Sequence, residues 1–293
     1  METHSTLTAI KQIRRIGIII SGLDNANLPA LCYLLLHLNT LQSTFEYEIW
    51  PLELEVENDE LINILTAKQP IERELVRAKV NPFVDSYEAC LRDWMAQVKI
   101  TDATFPEHYI LITMAQFSDG YYSMRQDRLS ILALGNWKRT MAPPSILEFI
   151  LTLVIRESVS TASPSLRGSV HYGTKGCLFD FTPYLEDARY KVLNAFICTY
   201  CRNALEKDQL LGLADEIIIV LRKHWFGKAA DLDSPAGITA KLGYNLFLTK
   251  GLQTNFWEKL IDILREESVR LVMSVIGTVL VAGLLLWLGL SKP

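Results

Sequence analysis

The sequence predicts an α/β protein: a mixed, mostly parallel sheet around one central buried helix, with a cysteine zinc site and a C-terminal transmembrane helix. Three observations lead there. The N-terminal region reads strand, helix, strand. A run at 146–158, ILEFILTLVIRES, is apolar nearly all round, as a helix at the centre of a core must be. A stretch at 271–290, LVMSVIGTVLVAGLLLWLGL, carries no charge at all.

The elements follow in chain order. Residues 13–23, IRRIGIIISGL, form a short β-branched run ending at Ser-Gly, the mark of a buried strand. Residues 27–41 have helical spacing, with Asn27 as N-cap and Pro29 in the first turn. Cys32 and His37 fall inside this helix and read as core or satisfied helix residues. Residues 45–54 alternate apolar and charged, which fits a half-buried strand. Strand–helix–strand implies a parallel pair. Two helices are expected at 60–67 and 84–98, separated by Pro70 and Asn81-Pro82. On the second, Tyr87, Cys90, Leu91 and Trp94 share one face and read as core. Short strands follow at 109–113 and 128–134, which can pair as neighbours.

Pro143-Pro144 ends that region, and Ser145 with Glu148 forms a capping box for the apolar helix. A further helix is expected at 214–224 and an amphipathic one at 256–265, FWEKLIDILR. The chain therefore divides into a tail at 1–12, one domain at 13–250, a juxtamembrane amphipathic helix at 251–270 and a span at 271–290. A charge-free run of about 20 residues crosses a hydrocarbon layer of roughly 30 Å. Lys259, Arg265 and Arg270 precede it and only Lys292 follows, which places the bulk of the chain on the cytoplasmic side. The expected product is a single-pass, tail-anchored membrane protein, whose membrane helix offers a route to homo-oligomers.

Composition narrows the partners. A net charge of −4 and the lack of any long basic cluster exclude a nucleic-acid surface. No secretory h-region precedes the first strand, so a reducing compartment is expected. There, five cysteines point to metal or thiol chemistry before disulfides. Cys198-Thr-Tyr-Cys201 offers two thiolates that can reach one tetrahedral zinc. Cys177 supplies a third ligand and His171 the best fourth, in the pattern H-x5-C-x20-C-x2-C. Asp180 and Asp187 are poorer fourth ligands. Ordinary buried thiols and a redox pair are the alternatives, although a redox pair belongs at a strand-to-helix junction that this position does not match.

Around these residues the chain resembles the archaemetzincins, a family of small zinc metallopeptidases. Arg156-Glu157-Ser158-Val159-Ser160 stands where that family carries His-Glu-x-x-His. His171 stands at the third histidine, Tyr172 where a cysteine would follow, Cys177 at the second cysteine, and Cys198 with Cys201 close the pattern. The resemblance covers about 16–205 and implies a zincin-like fold. The departures then matter. Arg156 stays protonated and offers no lone pair, and Ser160 is a poor ligand, so no hydrolytic zinc is expected. Glu157 would be catalytic only with an activated metal-bound water. The implied product is a pseudoenzyme: a membrane-associated binding, regulatory or effector module with a protein or peptide partner. Tail-anchored domains of this build look like those of bacterial anti-phage systems. The alternative is an active membrane-bound zinc protease with an altered ligand set, using His171, Glu157 and a residue such as His108 or His224.

Overall fold

A computed structural model describes residues 13–23, 26–52, 59–100, 104–167, 171–172 and 176–288, apart from the side chains of 262 and 265–270. The expected tail at 1–12 lies outside the described residues. Strand β1 (Arg14–Ser21), helix α1 (Leu28–His37) and strand β2 (Phe45–Trp50) form the anticipated parallel unit, with Ile16 opposite Tyr47 and Ile18 opposite Ile49. Asn27 caps α1 by accepting the Ala30 N–H at 3.1 Å. Strands β3 (His108–Thr113) and β5 (Leu129–Ala133) extend the sheet in parallel. A further strand, β4 (Ser123–Gln126), closes the edge antiparallel to β5. The full order is β2-β1-β3-β5-β4.

Alternation along the strands assigns side chains to two cores. Ile16, Ile18, Ile110, Ile112 and Leu132 face α1 and α4 (Ile146–Ala162). Ile19, Tyr109, Leu111 and Ile131 face α2 (Glu60–Leu65) and α3 (Arg73–Gln97). The sheet is thus covered on both sides, as a parallel sheet requires. Gly17 stands opposite Tyr109, and a Cβ on it would meet the Tyr109 ring at 2.6 Å. That ring can lie across β1 only because residue 17 has no side chain.

Two expectations about helices need correction. The break at Asn81-Pro82 does not occur, because α3 runs unbroken from Arg73 to Gln97 with Pro82 inside it. Proline costs one backbone hydrogen bond there, but Val76 and Val80 before it and Phe83, Val84 and Tyr87 after it are all buried in the same core. That burial outweighs the local penalty. Trp94, read as core, lies at the exposed margin of the same helix.

Helix α4 is the buried axis that the sequence anticipated. Its capping box forms as read: Ser145 Oγ accepts the Glu148 N–H at 3.4 Å, and Glu148 Oε2 accepts the Ser145 N–H at 2.7 Å. Every residue of α4 except Glu148, Arg156 and Thr161 is buried. Short helices α5 (Pro164–Arg167), α6 (Leu185–Asn194), α7 (Thr199–Lys207), α8 (Leu213–Leu221) and α9 (Pro235–Lys241) complete the layer on this side.

The transmembrane expectation is overturned. The amphipathic segment at 256–265 does continue without a break, as α10 (Phe256–Trp287). Among the described residues, however, no helix is long and apolar enough to cross a membrane. The charge-free part inside α10 is 271–287, 17 residues. At 1.5 Å per residue it is about 25 Å long, short of the roughly 30 Å of a hydrocarbon layer. Residues 289–290 of that run lie outside the described residues. The single-pass tail anchor, the membrane location with its cytoplasmic bulk, and the bilayer contact through 271–290 are therefore not supported. The juxtamembrane label for 251–270 goes with them, and the helix itself begins only at Phe256.

Candidate metal centre and the buried glutamate

The four residues that the sequence singled out for metal come together. His171, Cys177, Cys198 and Cys201 each present one ligand atom, and these atoms all lie within 4.8 Å of one another. Local structure explains how. His171 and Asp180 form a parallel bridge, and Cys177 bridges to Phe196, so the loop folds back on itself. Cys198 is the N-cap of α7 and Cys201 sits in its first turn. Thiolates are favoured at a helix N-terminus, where unpaired N–H groups leave partial positive charge.

The distances fit a tetrahedral ion. Metal–sulfur bonds of about 2.3 Å put two sulfurs roughly 3.8 Å apart and a sulfur and a nitrogen roughly 3.5 Å apart. Cys177 Sγ lies 3.9 Å from Cys201 Sγ. His171 Nε2 lies 3.5 Å from Cys198 Sγ and 3.1 Å from Cys201 Sγ. Cys177 and Cys201 are fully buried, while Cys198 and His171 are half-buried. Within the thiol group, the hydrogen bond with Cys201 draws the Cys177 thiol down to about 5 and pushes that of Cys201 up. One buried sulfur is thereby already disposed to carry negative charge.

Asp180, a poorer ligand candidate in the sequence, has another place. Its Oδ1 lies 2.9 Å from His171 Nδ1, and its Oδ2 accepts the Gly176 N–H at 2.9 Å. A carboxylate on the far nitrogen fixes the imidazole's tautomer and turns Nε2 toward the sulfurs. Spacing gives no hint of this role, which exists only once the loop closes. Asp187 lies outside the ligand group, in the first turn of α6.

Glu157 sits elsewhere, in a buried ionic network between α4 and the β4–β5 edge. It is 2% exposed. Arg156 Nη1 donates to Oε1, and Arg125 Nη2 donates to Oε2 at 2.5 Å. Ser130 Oγ donates to the same Oε2 at 3.3 Å and lies 2.9 Å from His108 Nε2. Burial alone would raise the Glu157 pKa, but the charges of Arg156 and Arg125 outweigh it and hold the carboxyl below its usual range. His108 is pushed down to about 3, first by burial and then by the charge of Arg125. Ser160 is buried, and the sole metal-capable group among the described residues excludes Glu157, His108 and His224. Arg125 was not legible as a partner of Glu157 because it lies on β4, and Ser130, on the expected strand β5, meets Glu157 only through tertiary packing against α4. Cys32 and His37 stay outside the site as expected, and His37 stacks between Tyr33 and Trp225.

Compared with family models, with curated proteins and with solved structures, the chain matches none.

Two outcomes follow from this geometry. Asp180→Ala should weaken metal affinity by about 10- to 100-fold, measured by competition with a chromophoric chelator. Unchanged affinity would separate Asp180 from the imidazole's orientation. His108 is neutral in the fold but protonates more readily once unfolded. Its share of stability is therefore fully present above its ordinary value of 6.5 and is lost as pH falls toward about 3. The slope in that window is up to about 1.4 kcal/mol per pH unit. His108→Gln should flatten the acid limb of urea-unfolding free energies between those limits.

Proposed function

We propose that this chain is a non-hydrolytic binding module of archaemetzincin-like build. In this reading one structural zinc on His171, Cys177, Cys198 and Cys201 holds the scaffold, and a protein or peptide partner lies along the sheet edge. The observation that carries the reading is the double salt bridge on Glu157. A general base works best with a pKa near the operating pH. This carboxylate is held below that range and shielded from solvent, and an arginine fills the position next to it.

Zinc is favoured by the donor set, since three thiolates and one imidazole in a closed tetrahedron suit it better than harder or redox-active metals. The partner reading is supported by β4: among the described residues, no strand pairs with its outer edge. An open edge takes an extended segment through main-chain hydrogen bonds. The expected tie to membrane-acting defence systems rested on the tail anchor and is not carried forward. The protease alternative needs a second metal near Glu157, and His171, which it would use, is already committed to the sulfurs.

Metal analysis of the full chain should give one zinc per molecule, lost in Cys198→Ser and kept in Glu157→Gln. The second variant should instead lose up to about 3 kcal/mol of stability, because two half-buried guanidiniums lose their counter-charge. Two zincs per chain, or chelator-sensitive cleavage of a peptide library that Glu157→Gln abolishes, would reverse the assignment in favour of a protease.

A further inference from the structure

Beside the ligand group lies a cavity of about 320 Å³. This is at the small end of ligand pockets, which run from roughly 300 to 1,000 Å³. Its apolar wall is aromatic, made by Tyr172, Phe181 and Tyr190. Tyr172 and Phe181 have ring centroids 5.3 Å apart and tilted by 56°, so they form two inclined faces. Tyr172 is 74% exposed and Tyr190 57%. Two large rings held toward solvent around one hollow contribute little to the core.

The polar wall is acidic. Asp180 and Asp187 both line the cavity. Asp180 is turned toward His171 and the Gly176 N–H, whereas Asp187 is exposed on α6. Asp187 makes no ion pair with any described residue. The α6 dipole gives an ordinary reason for an acidic residue in that first turn. It gives no reason for the exposed rings across the cavity from it. The one basic residue among the described residues of the wall, Lys191, is 1% exposed and donates from Nζ to the Asp180 carbonyl at 2.7 Å. Burial, and then the charge of Arg156, drive its pKa well below the usual amine range, and its Nζ is turned to a backbone carbonyl rather than into the hollow's rim.

Aromatic faces attract cations through the ring quadrupole, and a carboxylate at the rim adds to that attraction. An anion would meet two aspartates. We propose that the hollow bounded by Tyr172, Phe181, Tyr190 and Asp187 binds an organic cation, an alkylated ammonium group presented either by a free small molecule or by a lysine side chain on a peptide. The site needs neither a peptide on the sheet edge nor a silent Glu157, so its failure and that of the proposed function are distinguishable.

The test is isothermal titration of the full chain with choline, with its uncharged isostere 3,3-dimethylbutan-1-ol, and with a lysine-containing peptide beside its norleucine counterpart. Saturable binding of the charged member of either pair, at least about tenfold tighter than the neutral one, is expected. Tighter binding of the peptide assigns the source to a protein partner, and tighter binding of choline to a free ligand. Asp187→Asn and Tyr172→Ala should each weaken binding about fivefold or more, and both are surface changes whose folding is checked by thermal melts. Equal binding of charged and neutral members would make the hollow merely apolar and overturn the proposal. So would failure of all four probes to bind the folded chain, or unaltered affinity in both variants.

Discussion

Three sulfurs and an imidazole nitrogen crowd within 4.8 Å of one another, and the architecture around them depends on that meeting. The segments they join come from a loop that contributes two isolated bridges and from the first turn of α7. Neither segment belongs to the sheet. Their regular hydrogen bonds are few, and four buried or half-buried ligand atoms of like character are unfavourable neighbours unless something satisfies them. A cation at their centre would turn that liability into a crosslink. The binding energy of such a site is folding energy, because the unfolded chain has no preformed site. The crosslink would fix the loop carrying Asp180 and the start of α7 against the core that α4 organises.

The ionic network at Glu157 is a second constraint of a different kind. It joins α4 to β4 through Arg125 and to β5 through Ser130, whose hydroxyl also meets His108 on β3. Two guanidiniums share one carboxylate, so the cluster carries excess positive charge in a poorly solvated place. Such clusters add little net stability over an apolar filling, yet they cannot lose one member cheaply. The same arrangement that ties the edge strand to the central helix also holds the Glu157 carboxyl below its usual range.

Legibility from sequence followed how locally each feature was determined. Strands β1, β3 and β5 are apolar runs, and the α4 capping box is written in two residues three apart. The metal group could be read because cysteine and histidine at those spacings have few other uses. Strand β4 was missed because Ser-Met-Arg-Gln is short and largely polar. Its hairpin turn, Asp127-Arg128, puts Asp127 at φ 45° without the glycine that usually announces such a turn. Arg125 was lost with it. Asp180's hold on His171 is purely tertiary. Pro82 misled because its local cost is small against the burial on either side. The 271–290 run misled because its part within the described helix, 271–287, is shorter than a hydrocarbon layer is thick.

The most direct measurement is X-ray absorption at the zinc edge on the purified full chain. The account predicts one zinc environment, with three sulfurs at about 2.3 Å and one nitrogen at about 2.0–2.1 Å. A first shell of oxygen and nitrogen alone, or a chain that folds fully without metal, would contradict it.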